Sequence, residues 1–415
     1  MMKKYLKICL ERVWLLLRWL LVAGVTGILL GILGGLFGRC ISLVTAFRGT
    51  HSWMLYLLPL AGLLIVALYR LDPYKSSTNV VLEGVSSDSY VPLRMAPLIT
   101  AATVLTHACG GSAGREGAAL QLGGSIGGTL GRFLKLDEYD RRLMIMCGMS
   151  AGFSALFGTP LAATVFSMEV ISVGIMQYAA IVPCALASLT AAAVAEMVGA
   201  EGEHFVITDI PKFTISSAGF VILFAVACAA VSILFCLILH KTEHLYHKYI
   251  PNEWLRVVAG ALLIILMTCL LGTTDYLGTG MSVIERAVGG ETVAAAFLIK
   301  MVFTAVTLGC GFKGGEIVPT LFVGATFGCL IGQIFGFSPS LAAACGMAAL
   351  FCGVTNCPLS SLFLSFELFG FEAMPYFLLV VAVSYMESGY FGLYHSQKIL
   401  YSKTKLQFIN RKTKE

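Results

Sequence analysis

Charge is what this chain has least of: among 415 residues only 12% are Asp, Glu, Lys or Arg, against about 25% in ordinary soluble proteins. With 58% hydrophobic residues and a mean hydropathy of +0.86, that shortage excludes a cytoplasmic enzyme or a secreted module. The bilayer is the solvent this composition fits. Proline is scarce as well, 12 residues against 44 glycines, which excludes a proline-rich linker and suggests helices packed closely on one another. The net charge of +5 gathers at the ends and in a few loops, so it reads as membrane topology and not as a nucleic-acid surface. No CxxC pair occurs among the 13 cysteines, and Cys147, Cys228, Cys269 and Cys329 lie in apolar runs, as small buried hydrophobes do. A nucleotide-binding lysine loop, an HExxH helix and a nucleophile elbow are all missing, which leaves no basis for an enzyme, a cofactor or a resident metal.

What is present is a series of apolar stretches, several shorter than the roughly 20 residues a helix needs to cross hydrocarbon. The basic start MMKKYLKICLERVW precedes a long apolar run without a small-x-small cleavage site and is expected to be a first membrane helix. Basic connections at Arg70 to Lys75, Arg132 to Arg142 and His240 to Lys248 are expected inside, together with both termini. The connection bearing Glu201, Glu203 and Asp209 is expected outside.

Glycine-rich breaks interrupt the apolar sequence at 110–117, 309–315 and 352–358. Irregular backbone at membrane depth survives only where protein buries it or where it lines a cavity, so the breaks mark a pathway. They also repeat. Gly114, Glu116, Gly124 and Gly128 recur 200 residues later as Gly314, Glu316, Gly324 and Gly328, and Pro160 to Glu169 recur at an offset of 198 as Pro358 to Glu367. The expected organisation is a basic N-terminus (1–12), a first membrane repeat (13–199), an external connection (200–213), a second, inverted repeat (214–400) and a basic tail (401–415).

A helix that starts inside a membrane presents free N–H groups and the positive end of its dipole, which together suit an anion. Two such starts, in GSAGREG and FKGGEIVP, suit a small dehydrated anion better than a cation, which prefers carbonyl oxygens. Glu116 and Glu316, carboxylates at those starts, are functional candidates by their position. Burial and the helix end act on Glu116 in opposite senses, so it is a candidate to exchange protons. The plain alternative for Glu116 is a helix cap paired with Arg115, and for Glu316 a carboxylate paired with Lys313. His240, His244 and His247 share a helix face but stand at a helix end among lysines, where interfacial residues are expected; Trp14, Trp19, Trp53 and Trp254 read as interfacial anchors. His107 reads as hydrogen-bonded within the bundle, and Glu169 and Glu367 as structural groups at helix ends.

GGSAGREGAALQLGGSIG resembles the GREG segment of the CLC anion channels and anion/proton exchangers, and FKGGEIVPTLFVGATFG resembles their second-half helix start. AGFSALFGTPLAATVFSMEV and NCPLSSLFLSFEL are similar to the family's paired proline segments, so the likeness runs over about 15–400. It implies an all-α multi-pass membrane protein of inverted repeats of tilted, broken helices, a homodimer in the plasma (inner) membrane with one pore per subunit. Chloride or fluoride and protons are the implied partners, with no nucleotide, since no regulatory tail follows the final motif. Residue by residue, the resemblance makes Glu116 the gating glutamate, Ser77 the anion-coordinating serine and Tyr394 the central-site tyrosine. Asn79, Gly114, Arg115, Gly117 and the N–H groups of Ile317 and Val318 would complete the anion cradle. Two departures bear on mechanism: Val170 stands at the internal proton-transfer glutamate position of many chloride exchangers, and Glu316 stands where that branch has an apolar residue. Lys-Gly-Gly-Glu and Asn79 are similar to the bacterial fluoride/proton branch, while Ala118 matches neither branch's pattern. Proton-coupled anion transport through Glu116 and Glu316 is the implied activity; a passive chloride channel and an inverted-repeat carrier for a small organic anion are the alternatives.

Overall fold

The computed structural model describes residues 2–72, 77–87, 89–200 and 202–413. Lys75 of the basic connection expected inside and Glu201 of the connection expected outside lie outside the described residues. The first series of helices is α1 (Met2–Thr50), α2 (Leu58–Tyr69), α3 (Thr78–Ser87), α4 (Met95–Ala108), α5 (Glu116–Phe133), α6 (Glu138–Phe157), α7 (Pro160–Glu169) and α8 (Ile181–Met197). The second is α9 (Ile215–Tyr249), α10 (Glu253–Leu271), α11 (Met281–Val288), α12 (Ala296–Gly309), α13 (Ile317–Phe335), α14 (Pro339–Thr355), α15 (Pro358–Phe369) and α16 (Met374–Glu387).

Helix length explains the architecture. α1 has 49 residues, about 74 Å at 1.5 Å per residue, far more than the hydrocarbon thickness. In contrast α4 and α12 have 14 residues each and α7 only 10, too short to cross alone. These short helices pack side by side with neighbours, α7 against α15, α4 against α5 and α12 against α13. Arg18 of α1 meets Asp140 at the start of α6, and Tyr139 and Arg142 share a cavity with Lys398 and Asn410, so both chain ends lie on one face. α5 runs from mid-protein to that face. α13 runs to the opposite one, where Phe335 lies 6.2 Å from Phe220, near the start of α9.

Glycine sets the depth of the packing. A Cβ on Gly123 or Gly127 of α5 would collide with the Gly148 or Met144 carbonyl of α6. In the second series, a Cβ on Gly324 or Gly328 of α13 would meet the carbonyl of Gly346 or Ala342 in α14. Without water to drive helices together, such backbone approach is what holds them. Gly346→Ala is therefore expected to cost roughly 2 kcal/mol or more of stability by overpacking. Gly219→Ala, in open space on α9, is expected to be neutral or stabilising, and thermal unfolding of both variants in detergent checks the contrast.

The same contacts correct the repeat register. Gly123 and Gly324, Gly127 and Gly328, and the helix starts Glu116 and Ile317 correspond at an offset of 201, not 200. Glu316, the residue before α13, is thus the counterpart of Arg115, the residue before α5. The two carboxylates are one position apart around their helix starts, and the drift to the 198 offset of α7 and α15 is three residues. Matching identical letters favoured the Glu–Glu alignment; close helix packing, which only glycine permits, decides otherwise.

The basic tail is also more structured than its composition suggests. β2 (Lys398–Tyr401) and β3 (Phe408–Lys412) form an antiparallel hairpin, and β2 pairs in parallel with β1 (Ser172–Val173) between α7 and α8. Gln397 donates to the Val170 and Thr355 carbonyls, and Thr413 donates to the Tyr394 carbonyl, so the hairpin pins the segment that carries Tyr394.

Candidate ion pathway

The two broken-helix starts meet at the centre of the protein. Gly114 N–H donates to the Gly315 carbonyl (2.7 Å) and Gly315 N–H to the Gly114 carbonyl (2.8 Å), an isolated antiparallel bridge. The first break is braced by the second series: Ser112 N–H donates to Thr307 Oγ1 (3.0 Å), and its hydroxyl pairs with Thr304 Oγ1 (3.1 Å). A Cβ on Gly315 would lie 2.5 Å from the Gly117 nitrogen, so no other residue fits against the start of α5. The N–H groups of the first turns are thereby set at one depth, as anion donors must be.

Glu116 is completely buried. Its Oε2 accepts from Arg115 N–H (2.9 Å), so the carboxylate folds back onto the N-terminus of its own helix, the place an anion would take. Its Oε1 lies 3.6 Å from Arg115 Nε. The Arg115 guanidinium also donates to the Leu156 carbonyl (3.3 Å) and to Glu203 Oε1 (2.6 Å).

Glu316 faces a different space. It lines a cavity of about 270 Å³ on the face of the chain termini, together with Ser77, Asn79, Gln121, Lys313 and Tyr394. Glu316 Oε2 lies 3.5 Å from where a Gly117 Cβ would stand and has no hydrogen-bond partner among the described residues. The alternative reading, a direct ion pair with Lys313, is not what the described residues form, although the two charges are within electrostatic reach. That ammonium lies over the Tyr69 ring, 4.6 Å from its centroid. Tyr394 is buried, its hydroxyl lacks a hydrogen-bond partner among the described residues, and it is within electrostatic reach of both Glu316 and Glu116.

The remaining candidates take these places. Ser77 precedes α3 and its carbonyl accepts from Val80 N–H (3.1 Å). Asn79 Oδ1 accepts from the Ser396 N–H (3.1 Å) and hydroxyl (2.8 Å), which leaves its amide nitrogen as a donor at the cavity. Ile317 and Val318 open α13. Val170 is buried and offers only its carbonyl, to Gln397. His107 is buried with Nδ1 on the Thr103 carbonyl (2.9 Å). His240 leaves the row of three: it lines the cavity and stacks on His395 at 4.3 Å, while His247 meets Arg256 (3.2 Å). Glu169 and Glu367 are reciprocal caps. Glu169, ending α7, accepts from the N–H groups of Leu359 (3.2 Å) and Ser360 (2.9 Å), and Glu367, ending α15, accepts from those of Leu161 and Ala162 (both 2.8 Å).

Three polar residues escaped the sequence reading as partners. Gln121 donates to Thr78 Oγ1 (3.1 Å) and lines the cavity with its carbonyl oxygen unpaired among the described residues. Glu203 holds Arg115. Lys300 is wholly buried in α12 and donates to the Tyr276 (3.1 Å) and Gly278 (2.7 Å) carbonyls, tying the loop before α11 to the bundle. A lysine inside the run AFLIKMVFTAV is itself a detectable signal, because a charge in an apolar helix must find partners.

Two series of tilted, broken helices, inverted about a central pair of helix starts, with carboxylates on either side, define a membrane transport protein. Residues 72–389 match the family model described as voltage gated chloride channel. A "Chloride/fluoride channel protein" of Pseudomonas syringae pv. tomato is 35% identical over 395 residues, 93% of this chain and 87% of that one. The crystal structure of a CLC-type fluoride/proton antiporter superimposes with a TM-score of 0.88 at 31% identity, over 92% of this chain and 98% of that one. A slow cyanobacterial Cl⁻/H⁺ antiporter shares the fold, with a TM-score of 0.79 at 19% identity over 89% of this chain and 94% of that one. The chain belongs to the CLC family of voltage gated chloride channel proteins.

Proposed function

We propose that the protein exchanges a small inorganic anion, fluoride ahead of chloride, for protons. The observation that carries this reading is the pair of carboxylates at the central helix starts: Glu116, folded onto the start of α5, and Glu316, facing the cavity on the termini face. Glu316 supplies a titratable group where Val170 leaves none. Anion donors are the N–H groups opening α5 and α13, the Tyr394 hydroxyl, the Asn79 amide and Ser77. Gly114, Arg115 and Gly117 shape the α5 side of the cradle. Fluoride is favoured because these donors are numerous and two relatives, 35% and 31% identical, carry fluoride in their names.

On this reading the termini face is cytoplasmic, which agrees with its basic connections and an inner-membrane location. The halves 13–199 and 214–400 act as the two repeats, joined by an external segment at 200–213. Family membership suggests a homodimer with one pathway per subunit.

Side-by-side efflux from fluoride- and chloride-loaded liposomes tests the ion. One additional good hydrogen bond to the smaller anion corresponds to about tenfold tighter fluoride binding, and fluoride efflux is expected to exceed chloride efflux. Equal rates would overturn the fluoride assignment. A reversal potential that moves with a pH gradient is expected for exchange; one that ignores it would establish a passive channel.

A further inference from the structure

Arg115 is shared between two carboxylates of unequal exposure. The side chains of Glu203, Arg115 and Glu116 are 20%, 11% and 1% exposed, a row that runs inward from the face opposite the termini. At its outer end lies a cavity of about 370 Å³ lined by Arg39, Ser42, Arg115, Leu156, Gly202 and Glu203. The segment is fixed there, since Glu203 N–H donates to the Phe157 carbonyl (3.1 Å). The guanidinium is held tightly by Glu203, at 2.6 Å, and loosely by Glu116, at 3.6 Å, beyond hydrogen-bond distance.

An arginine cannot pass a proton on, because it is not deprotonated in proteins. It can divide its charge. While Glu203 is ionised, much of the Arg115 charge is compensated from outside. When Glu203 takes a proton, the whole positive charge is left to Glu116, whose ionised form is then favoured.

We propose that Glu203 is a positioning residue that senses protons on the face opposite the termini and, through the shared Arg115, sets how readily Glu116 takes its proton. The proposal rests on the reading of Glu116 as the proton-exchanging group. Other charged groups on that side have partners of their own among the described residues. Arg39 of α1 shares the cavity and donates to the Val198 carbonyl (2.8 Å), His204 bonds the Glu367 carbonyl (3.2 Å), and the Glu367 carboxylate caps α7. Arg115 is the only one of them in contact with Glu116.

Fluoride and proton fluxes in right-side-out and everted vesicles containing the full chain, with pH varied on one side at a time, test the proposal. Glu203→Gln is expected to shift the half-maximal pH on the face opposite the termini by about one unit toward acid, because the undivided Arg115 charge disfavours protonation of Glu116. The profile on the termini face is expected to stay in place, and Glu203→Asp to restore the wild-type curve. An unshifted profile in Glu203→Gln overturns the proposal, and so does an equal shift on both faces, which marks a merely structural effect. Glu116→Gln separates the two levels. If proton coupling survives in that variant, the reading of Glu116 fails and takes this proposal with it; if coupling is lost and Glu203→Gln shifts nothing, only this proposal falls.

Discussion

Glu116→Gln is expected to remove proton transport almost completely, by about 100-fold or more, the scale on which a positioned acid–base group acts. The substitution keeps shape and hydrogen-bonding capacity while abolishing the exchangeable proton. In the native chain the Glu116 carboxylate accepts the Arg115 N–H and occupies the positive end of α5. A neutral amide holds that end more weakly and brings N–H donors of its own toward backbone donors, so an anion competes better for the place. Anion flux is therefore expected to persist in uncoupled form, with a reversal potential indifferent to a pH gradient. Survival of coupling in Glu116→Gln would exclude the residue as the proton carrier.

The legible part of this molecule is the part written in composition along the chain. Glycine breaks within apolar runs located both helix starts, and the Pro160–Glu169 and Pro358–Glu367 segments recur with enough identity to reveal duplication. Register was harder. Glycines in the α5 and α13 segments recur at both 200 and 201 residues, and only the close approach of Gly123 to Gly148 and of Gly324 to Gly346 selects the second. Partners distant in sequence were not legible at all. Arg115 and Glu203 are 88 residues apart, and Lys300 finds its carbonyls 22 and 24 residues back in a loop that nothing in the sequence marks as close. The reciprocal caps illustrate the middle case: symmetry put Glu169 and Glu367 at helix ends, but that each caps the other's helix follows only from the antiparallel packing of α7 and α15.

Glu316→Gln is expected to stop coupled exchange as well, again by about 100-fold, but by cutting proton delivery from the termini face. The geometry separates it from Glu116: Glu316 lines the cavity on that face, Glu116 does not, and the Tyr394 hydroxyl is within electrostatic reach of both. A purely structural Glu316 would depend on its neighbour Lys313, yet that ammonium sits over Tyr69 and reaches Glu316 only through longer-range electrostatics, with no hydrogen bond to Glu316 Oε2. Lys313→Met is therefore the informative companion. It is expected to leave the proton-to-anion ratio unchanged, because it removes a longer-range charge and no hydrogen-bond or ion-pair partner of Glu316, whereas Glu316→Gln loses the proton flux with the fold retained. The opposite pattern, with coupling kept in Glu316→Gln and lost in Lys313→Met, would make Glu316 a bystander and leave the proton route to the other ionisable side chains of the cavity, His240, Glu243, Lys313, Tyr394 and His395. Proton flux measured side by side in the two variants distinguishes these outcomes, since Glu316→Gln is expected to lose it and Lys313→Met to keep it.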